Sequence, residues 1–400
     1  MTAPAATPDL LPNAIAEAPF GTFFLPGPTE VRPAVLAAML RPMIPHRGAE
    51  FEALYARCDA GLRRVFRTER PVYLSSSSAT GLMEGAVRAA PAGPVLAVVT
   101  GAFSERFADI ARACGRDVRV LDVPWGRAAD PDDLARALAA DRFAAVTVVH
   151  SETSTGALTD VRAVAAAARA HGAACLVDSV TGVGGAELHA DAWQLDFVLT
   201  GSQKALALPA GLAFGVASAA FAAGAVARPA AEAARGRYFD LAEFEAYAAK
   251  RQTPNTPALS LFYALDAQLA AMADGEPIEA RWARHRAMAE QTWAWVDARA
   301  ARFGVGVLAP AGERSPTVTA VTLPEGLDSA AVVRAVAARG YTIGSGYGRL
   351  KATTFRVGHM GDHTPETLAG CLAACDDALV GLTTAGAVGP VVGRDRRAGP

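Results

Sequence analysis

Four short apolar runs constrain what this chain can become. Val95-Leu96-Ala97-Val98-Val99, Ala145 to His150, Cys175-Leu176-Val177 and Phe197-Val198-Leu199 carry almost no polar alternation. A strand that is apolar on both sides is covered on both faces, as in a parallel sheet. Stretches with helical spacing lie among them, at Pro131 to Ala140 and Asp160 to Ala170, with a further strand-like run at Val118 to Val123. This alternation predicts an α/β fold, a parallel sheet with helices on both faces. In such sheets ligands bind in the crevice beyond the carboxyl ends of the strands. The residues that follow each run are therefore the ones to read for chemistry.

Phe197-Val198-Leu199 leads into Thr200-Gly201-Ser202-Gln203-Lys204, and an uncharged, Gly-punctuated stretch follows. Lys204 has no carboxylate close by in sequence. An ammonium in apolar surroundings is unfavourable, so its pKa falls. A neutral lysine nitrogen condenses with an aldehyde to form a Schiff base. The plain alternative is a lysine that snorkels to the surface at a strand end. The run Cys175-Leu176-Val177 ends in Asp178, and the turn Gly182-Val183-Gly184-Gly185 lies beyond it. Taken alone, Asp178 is also a common helix N-cap. Together the two residues are the pair that pyridoxal phosphate requires. The lysine holds the aldehyde, and the aspartate keeps the pyridine nitrogen protonated so that the ring acts as an electron sink.

The segments Leu176-Val177-Asp178-Ser179-Val180, Gly201-Ser202-Gln203-Lys204 and Phe355-Arg356-Val357-Gly358 resemble those of the class V pyridoxal-phosphate-dependent aminotransferases. The branch most resembled contains the alanine–glyoxylate and serine–pyruvate enzymes. The likeness runs from about Pro26 to about Ala378. It implies a transferase fold of type I, with a mostly parallel seven-stranded sheet in a large domain and a smaller C-terminal α+β domain. It also implies catalysis by Lys204 and Asp178, and an obligate homodimer whose active sites draw on both chains.

The resemblance assigns further residues. The turn Leu74-Ser75-Ser76-Ser77-Ser78-Ala79-Thr80-Gly81 lies between a short strand, Val72 to Leu74, and a helix from about Ala79 to about Ala90. In the family this turn cradles the cofactor phosphate, and the role falls on Ser78, Ala79 and Thr80. Local chemistry agrees, because hydroxyls and unpaired N–H groups at a helix N-terminus make an anion site. Ser77 and Thr80 stand where the branch commonly has Gly and His, which weakens the assignment to the alanine–glyoxylate branch. Phe103 takes the place of the ring that lies flat on the cofactor, usually Trp in this branch and His in cysteine desulfurases. Phe stacks but moves no proton, which favours transamination over sulfur abstraction; a core Phe opening a helix is the alternative. Thr153, in His150-Ser151-Glu152-Thr153-Ser154-Thr155-Gly156, resembles the hydroxyl that bonds the cofactor's phenolic oxygen. Gln203 joins the cofactor set beside Lys204. His150 reads as structural, because Lys204 already fills the role of base. Thr256, in the loop Arg251 to Pro257, matches a residue that touches the partner's cofactor phosphate. Arg356 matches the group that binds the substrate α-carboxylate, which a planar guanidinium holds through two parallel bonds; an arginine on a solvated strand face is the alternative. The Gly-rich loop Gly344-Ser345-Gly346-Tyr347-Gly348 is a candidate mobile lid.

A length of 400 residues, 52% hydrophobic and 20% charged, suits two domains. The turn Gly275-Glu276-Pro277 divides them. The expected layout is a flexible N-terminal arm (1–20), a large pyridoxal-phosphate-binding domain (21–275), a small C-terminal domain (276–382) and a disordered tail (383–400). A net charge of −2 makes no case for nucleic acid or an anionic membrane. Ala205 to Ala227 is uncharged and long enough to span a bilayer. Pro209 and three glycines interrupt it, which points to a buried strand followed by a helix. The first 18 residues lack the basic region of a signal peptide. Five scattered cysteines form no disulfide framework, and the expectation is a reduced, cytoplasmic enzyme. Cys371 and Cys375 read as small core residues, and no metal is expected.

The function expected is transamination between a small amino acid (alanine, serine or aspartate) and a 2-oxo acid (glyoxylate or pyruvate), through a Lys204 Schiff base. A phosphoserine or 2-aminoethylphosphonate transaminase is the alternative. It needs an extra basic pocket, which Arg349 and Lys351, or His46 and Arg47, would supply. Phe103 and the lack of an obvious mobile-loop Cys argue against a cysteine desulfurase or other lyase. A non-catalytic paralogue would have lost Lys204 or Asp178.

Overall fold

A computed structural model describes residues 20–229 and 235–386. Its centre is a seven-stranded sheet in the spatial order Tyr73–Ser75, Ala213–Ala217, Phe197–Gly201, Ala174–Asp178, Ala145–Val149, Val95–Val99, Val118–Asp122. Ala213–Ala217 runs antiparallel to both of its neighbours, and the other pairings are parallel. The apolar runs form the middle of the sheet because both of its faces are covered. Val146, Val148, Cys175, Val177 and Val198 pack into one core, and Ala145, Leu176, Phe197 and Leu199 into another on the opposite face. Successive side chains point to opposite faces of a strand, so a doubly covered strand must be apolar throughout.

The uncharged stretch from Ala205 to Ala227 resolves into a turn, the buried strand Ala213–Ala217 and the helix Ala219–Val226. Pro209 and Gly211 fall in the turn. Two small strands were not legible in the sequence. Ser151–Glu152 pairs with Ala157–Leu158 as a hairpin directly after the strand Ala145–Val149.

The second unit is a five-stranded sheet in the order Phe23–Phe24, Thr342–Ser345, Thr354–Val357, Thr319–Thr322, Gly306–Val307. The helices Ile278–Phe303, Ser329–Ala337 and Pro365–Gly386 accompany it. Cys371 and Cys375 lie in its core with Leu368, Leu372 and Leu379. Two expected boundaries change. Residues 21–24 were expected in the large domain, but Phe23–Phe24 pairs in parallel with Thr342 and Ile343, and Phe24 is buried among the small-domain apolar residues. The tail was expected to begin at Thr383, but the last helix continues to Gly386. The rest of the tail and the expected arm, Phe20 excepted, lie outside the described residues.

A buried ionic cluster joins the two units. Arg281 is 2% exposed. It donates to Glu276 and to Asp362, both at 2.8 Å, and to the Ala205 carbonyl at 2.6 Å. Asp362 also accepts from Gln268 and pairs with Arg32. The arginines Arg281 and Arg32 hold its carboxyl below the ordinary carboxylate range against the opposing effect of burial. Removing one partner of a buried ion pair strands the others and costs about 3–5 kcal/mol. Asp362→Ala should therefore lower the melting temperature clearly in a calorimetric scan. Glu243→Ala breaks only the Arg237–Glu243 pair, whose arginine side chain is 84% exposed, and should leave the transition within error of wild type.

Candidate active site

The carboxyl ends of the parallel strands open onto a cavity of about 470 Å³. Ser78, Ala79, Thr80, Phe103, Thr153, Asp178, Gln203 and Lys204 all line it. Residues spread over more than a hundred positions meet there because each follows a strand of the same sheet.

Lys204 follows the strand Phe197–Gly201 and is 7% exposed. Its Nζ donates to the Pro26 carbonyl. No carboxylate of the described residues forms an ion pair with it. Burial, with a smaller contribution from the positive charge of Arg356, lowers its pKa from 10.5 to about 8, while Asp178 and Glu152 oppose the shift. The backbone of the lysine turn is held from several directions. Thr29 Oγ1 donates to the Lys204 carbonyl at 3.0 Å, Thr29 N–H donates to the Gln203 carbonyl at 3.0 Å, and Arg281 holds Ala205. Gly27 lies so close that a Cβ there would stand 2.3 Å from Nζ, and its φ of +108° is itself unfavourable for other residues.

Asp178 ends its strand, fully buried, and accepts the Val180 N–H at 2.8 Å. Burial pushes its pKa up to about 7, against the pull of that N–H, and the Glu152 charge adds to the rise. A carboxyl with so little compensation fits a cationic partner in the cavity.

The helix Ala79–Ala89 begins at the cavity wall. Three of the four serines before it have local partners. Ser75 and Ser77 bond each other, Ser77 Oγ also donates to the Ser78 carbonyl, and Ser76 Oγ accepts the Ala258 N–H. Ser78, the N-cap, makes no side-chain cap bond, and the first turn carries no acid. Ser78 and Thr80 both line the cavity at this helix end, where the dipole and the first N–H groups favour an anion, which suits a phosphate. These three features (an unpaired amine near neutrality, a desolvated carboxyl and an anion cradle) fit pyridoxal phosphate.

Phe103 opens the helix Ala102–Ala113, and its ring centre lies 6.0 Å from Lys204 Nζ. Tyr347 stacks on it with centroids 5.2 Å apart. Thr153 shares a hydroxyl bond with Thr181, a cavity residue that nothing local in the sequence had marked. Glu152 was missed too. It is buried and accepts from the Phe103 and Ser104 N–H groups, the Ser104 hydroxyl, and the Ser154 N–H and hydroxyl. It fixes the start of the helix that carries Phe103. His150 lies behind the cavity, bonded to Ser179 Oγ at 2.9 Å and set edge-on to Trp193. Burial lowers its pKa to about 4.

Two expected residues do not line the cavity. Arg356 stands behind it, buried, with Nε on the Ser345 carbonyl (2.9 Å) and Nη1 on the Thr153 carbonyl (3.1 Å). It has no carboxylate partner among the described residues, and burial lowers its pKa to about 10. Thr256 is exposed, in a separate hollow with Ser75, Ser76 and Tyr238. The basic residues of the alternative reading are partly engaged: Arg349 pairs with Glu105 at 2.7 Å, and Arg47 binds Gln252 and the Thr253 carbonyl.

The family model for class V aminotransferases matches residues 37–356. An uncharacterized aminotransferase of Methanocaldococcus jannaschii is 36% identical over 89% of this chain and 91% of its own length. A serine–glyoxylate aminotransferase of Methylorubrum extorquens is 34% identical, over 89% of this chain and 90% of its own. The crystal structure of an alanine–glyoxylate aminotransferase from Nostoc sp. superposes with a TM-score of 0.84 at 31% identity, covering 91% of this chain and 96% of that one. Phosphoserine aminotransferases share the fold at 20% identity or less. The chain thus belongs to the class V aminotransferases, pyridoxal-phosphate-dependent enzymes of fold type I.

Proposed function

We propose that this enzyme moves an amino group between a small amino acid (alanine, serine or aspartate) and a 2-oxo acid (glyoxylate or pyruvate), with Lys204 carrying the cofactor. The names of its relatives support glyoxylate as an acceptor. The observation that carries the reading is a pair of buried cations without carboxylate partners among the described residues, Lys204 in the cavity and Arg356 behind it on the carbonyl of the lining residue Thr153, close enough for the charge of Arg356 to act on Lys204.

Pyridoxal phosphate, when bound, supplies an aldehyde and an electron-withdrawing ring. The chain's residues do the rest. Ser78, Thr80 and the helix end bind the phosphate. Asp178 holds the ring nitrogen, and Phe103 covers one face. Thr153 donates to the phenolic oxygen. Arg356 orients the substrate by its α-carboxylate, and its fork leaves Nη2 available beyond the bonds to Ser345 and Thr153. Lys204 Nζ takes the α-proton and returns it. A pKa of about 8 leaves a useful neutral fraction near pH 7.5. The Pro26 carbonyl holds Nζ in place when the amine is free.

A homodimer is part of the proposal. Thr256 is exposed and away from its own cavity, as a residue that serves a partner's site must be. Leu40 and Met43, 54% and 66% exposed, shortly precede Arg47, which is tied to the same loop through the Thr253 carbonyl. The five cysteines are all free, which supports a reducing, cytoplasmic setting.

The purified protein should show a visible absorbance band that bleaches with an amino donor among alanine, serine, aspartate and phosphoserine. A band that phosphoserine alone bleaches would overturn the proposed donor class. Lys204→Ala should abolish the band and reduce turnover by about a thousandfold or more; an unchanged spectrum would overturn the assignment. Arg356→Lys keeps the charge but loses the fork, so KM for the donor should rise about tenfold or more while the band persists. Gly27→Ala should lower kcat and shift the pH at which the band changes, with the circular dichroism spectrum retained, because its Cβ would displace the end of the Lys204 side chain, Cδ to Nζ, and the strain of its positive φ stays local to that turn.

A further inference from the structure

One cation of the cavity has no role in the reading above. Arg106, on the helix Ala102–Ala113, lines the cavity beside Phe103, with its guanidinium 5.0 Å from the ring centre. Its Nη2 donates to the Tyr347 hydroxyl at 3.0 Å. The Arg356 guanidinium lies over the ring of the same tyrosine, 5.5 Å from its centre. Tyr347 therefore has one arginine at its face and another, a cavity residue, at its hydroxyl.

The chain neutralises Arg349 and Arg112 nearby but not this one. Arg349 pairs with Glu105 at 2.7 Å and Arg112 with Asp109 at 2.8 Å. Arg106 has no carboxylate within ion-pair distance among the described residues. The buried carboxylates of the site are turned elsewhere. Glu152 is occupied by the backbone and hydroxyl donors of Phe103, Ser104 and Ser154, and Asp178 by the Val180 N–H. The charge of Arg106 nonetheless reaches the reacting groups, since it lowers the pKa of both Lys204 and Asp178.

We propose that Arg106 is a specificity-determining residue that binds the distal carboxylate of the substrate, which makes short dicarboxylic amino acids, aspartate or glutamate, the preferred donors. This rests on the reading that Arg356 takes the α-carboxylate. A guanidinium is a planar fork matched to a carboxylate, and two forks separated by one tyrosine ring suit a short chain with a carboxylate at each end. The Tyr347 hydroxyl, already the acceptor of Arg106, is free to donate its proton to the same carboxylate. Alanine would leave the fork of Arg106 unmatched. A donor site built for a partner disfavours analogues that lack it.

The test follows bleaching of the visible band of the cofactor-loaded enzyme with alanine, serine, aspartate and glutamate. The expected kcat/KM for aspartate or glutamate exceeds that for alanine, and Arg106→Gln lowers this ratio by about 100-fold, mainly through KM. Arg106→Lys should restore part of it. A ratio that Arg106→Gln leaves unchanged, or a wild-type preference for alanine or serine, would overturn the distal site and leave the transaminase reading standing. Failure of every donor to bleach the band would overturn that reading and the distal site with it. Should Arg106→Gln not fold, inhibition of the wild type decides. Succinate should inhibit at least about tenfold more strongly than butyrate, and equal inhibition would overturn the proposal.

Discussion

The site depends on keeping one amine dry and unpaired. Lys204 is buried where an ammonium is disfavoured, and its hydrogen-bond partner is a carbonyl, Pro26, instead of a carboxylate. A carboxylate in that place would lock the charge on, because a close opposite charge stabilises the ammonium. A carbonyl satisfies the N–H donors without fixing the proton. The nearest acidic groups, Asp178 and Glu152, raise the pKa less than burial and Arg356 lower it. The balance falls near neutrality, where a lysine can both lose and regain a proton.

That balance needs the N-terminal segment. Phe23–Phe24 is a strand of the small sheet, and the Gly358 N–H, just past the Arg356 strand, bonds the Phe24 carbonyl at 2.8 Å. A few residues later Pro26 meets Nζ and Thr29 holds the backbone of Gln203 and Lys204. A single short stretch thus links the strand of Arg356 to the lysine. Its glycine contacts show how tight the fit is. A Cβ on Gly358 would lie 2.5 Å from the Leu25 carbonyl oxygen, and one on Gly27 would strike the lysine itself. Arg281 makes a second link, from Ala205 to Asp362 in the turn that follows Arg356. Lys204 and Arg356 come from different domains, and buried contacts tie the two units together.

Much of this was legible in the sequence, and the reason is local. Doubly covered strands must be apolar on both faces, so Val95–Val99 and Ala145–Val149 announce themselves. The carboxyl ends of two like them, Ala174–Asp178 and Phe197–Gly201, point to Asp178 and Lys204 without any knowledge of their partners. Ser78 could be picked from four serines only by its position at the helix start; the structure adds that its hydroxyl makes no cap bond. The strand Phe23–Phe24 escaped because two residues carry no periodicity, and its partner lies more than three hundred residues away. Glu152 escaped for a related reason. It reads as one polar residue in a polar loop, and only the fold shows it capping the helix that bears Phe103.

The same distinction explains why residue identity alone could not rank the arginines. Arg106, Arg349 and Arg356 are alike in sequence, each in a polar or mixed stretch. Their roles separate only when their counter-ions are known. Arg349 has Glu105, so it serves to hold the Tyr347 loop against the helix Ala102–Ala113. Arg356 has two carbonyls, which orient a guanidinium without neutralising it. Carbonyl acceptors fix direction, whereas a carboxylate acceptor would fix direction and cancel the field together. An arginine held by carbonyls beside a cavity therefore keeps its charge for a ligand. The chain uses the same device on its lysine. Pro26 does for Lys204 what Ser345 and Thr153 do for Arg356, and the reserve of unneutralised charge at this cavity follows from that repeated choice of acceptor.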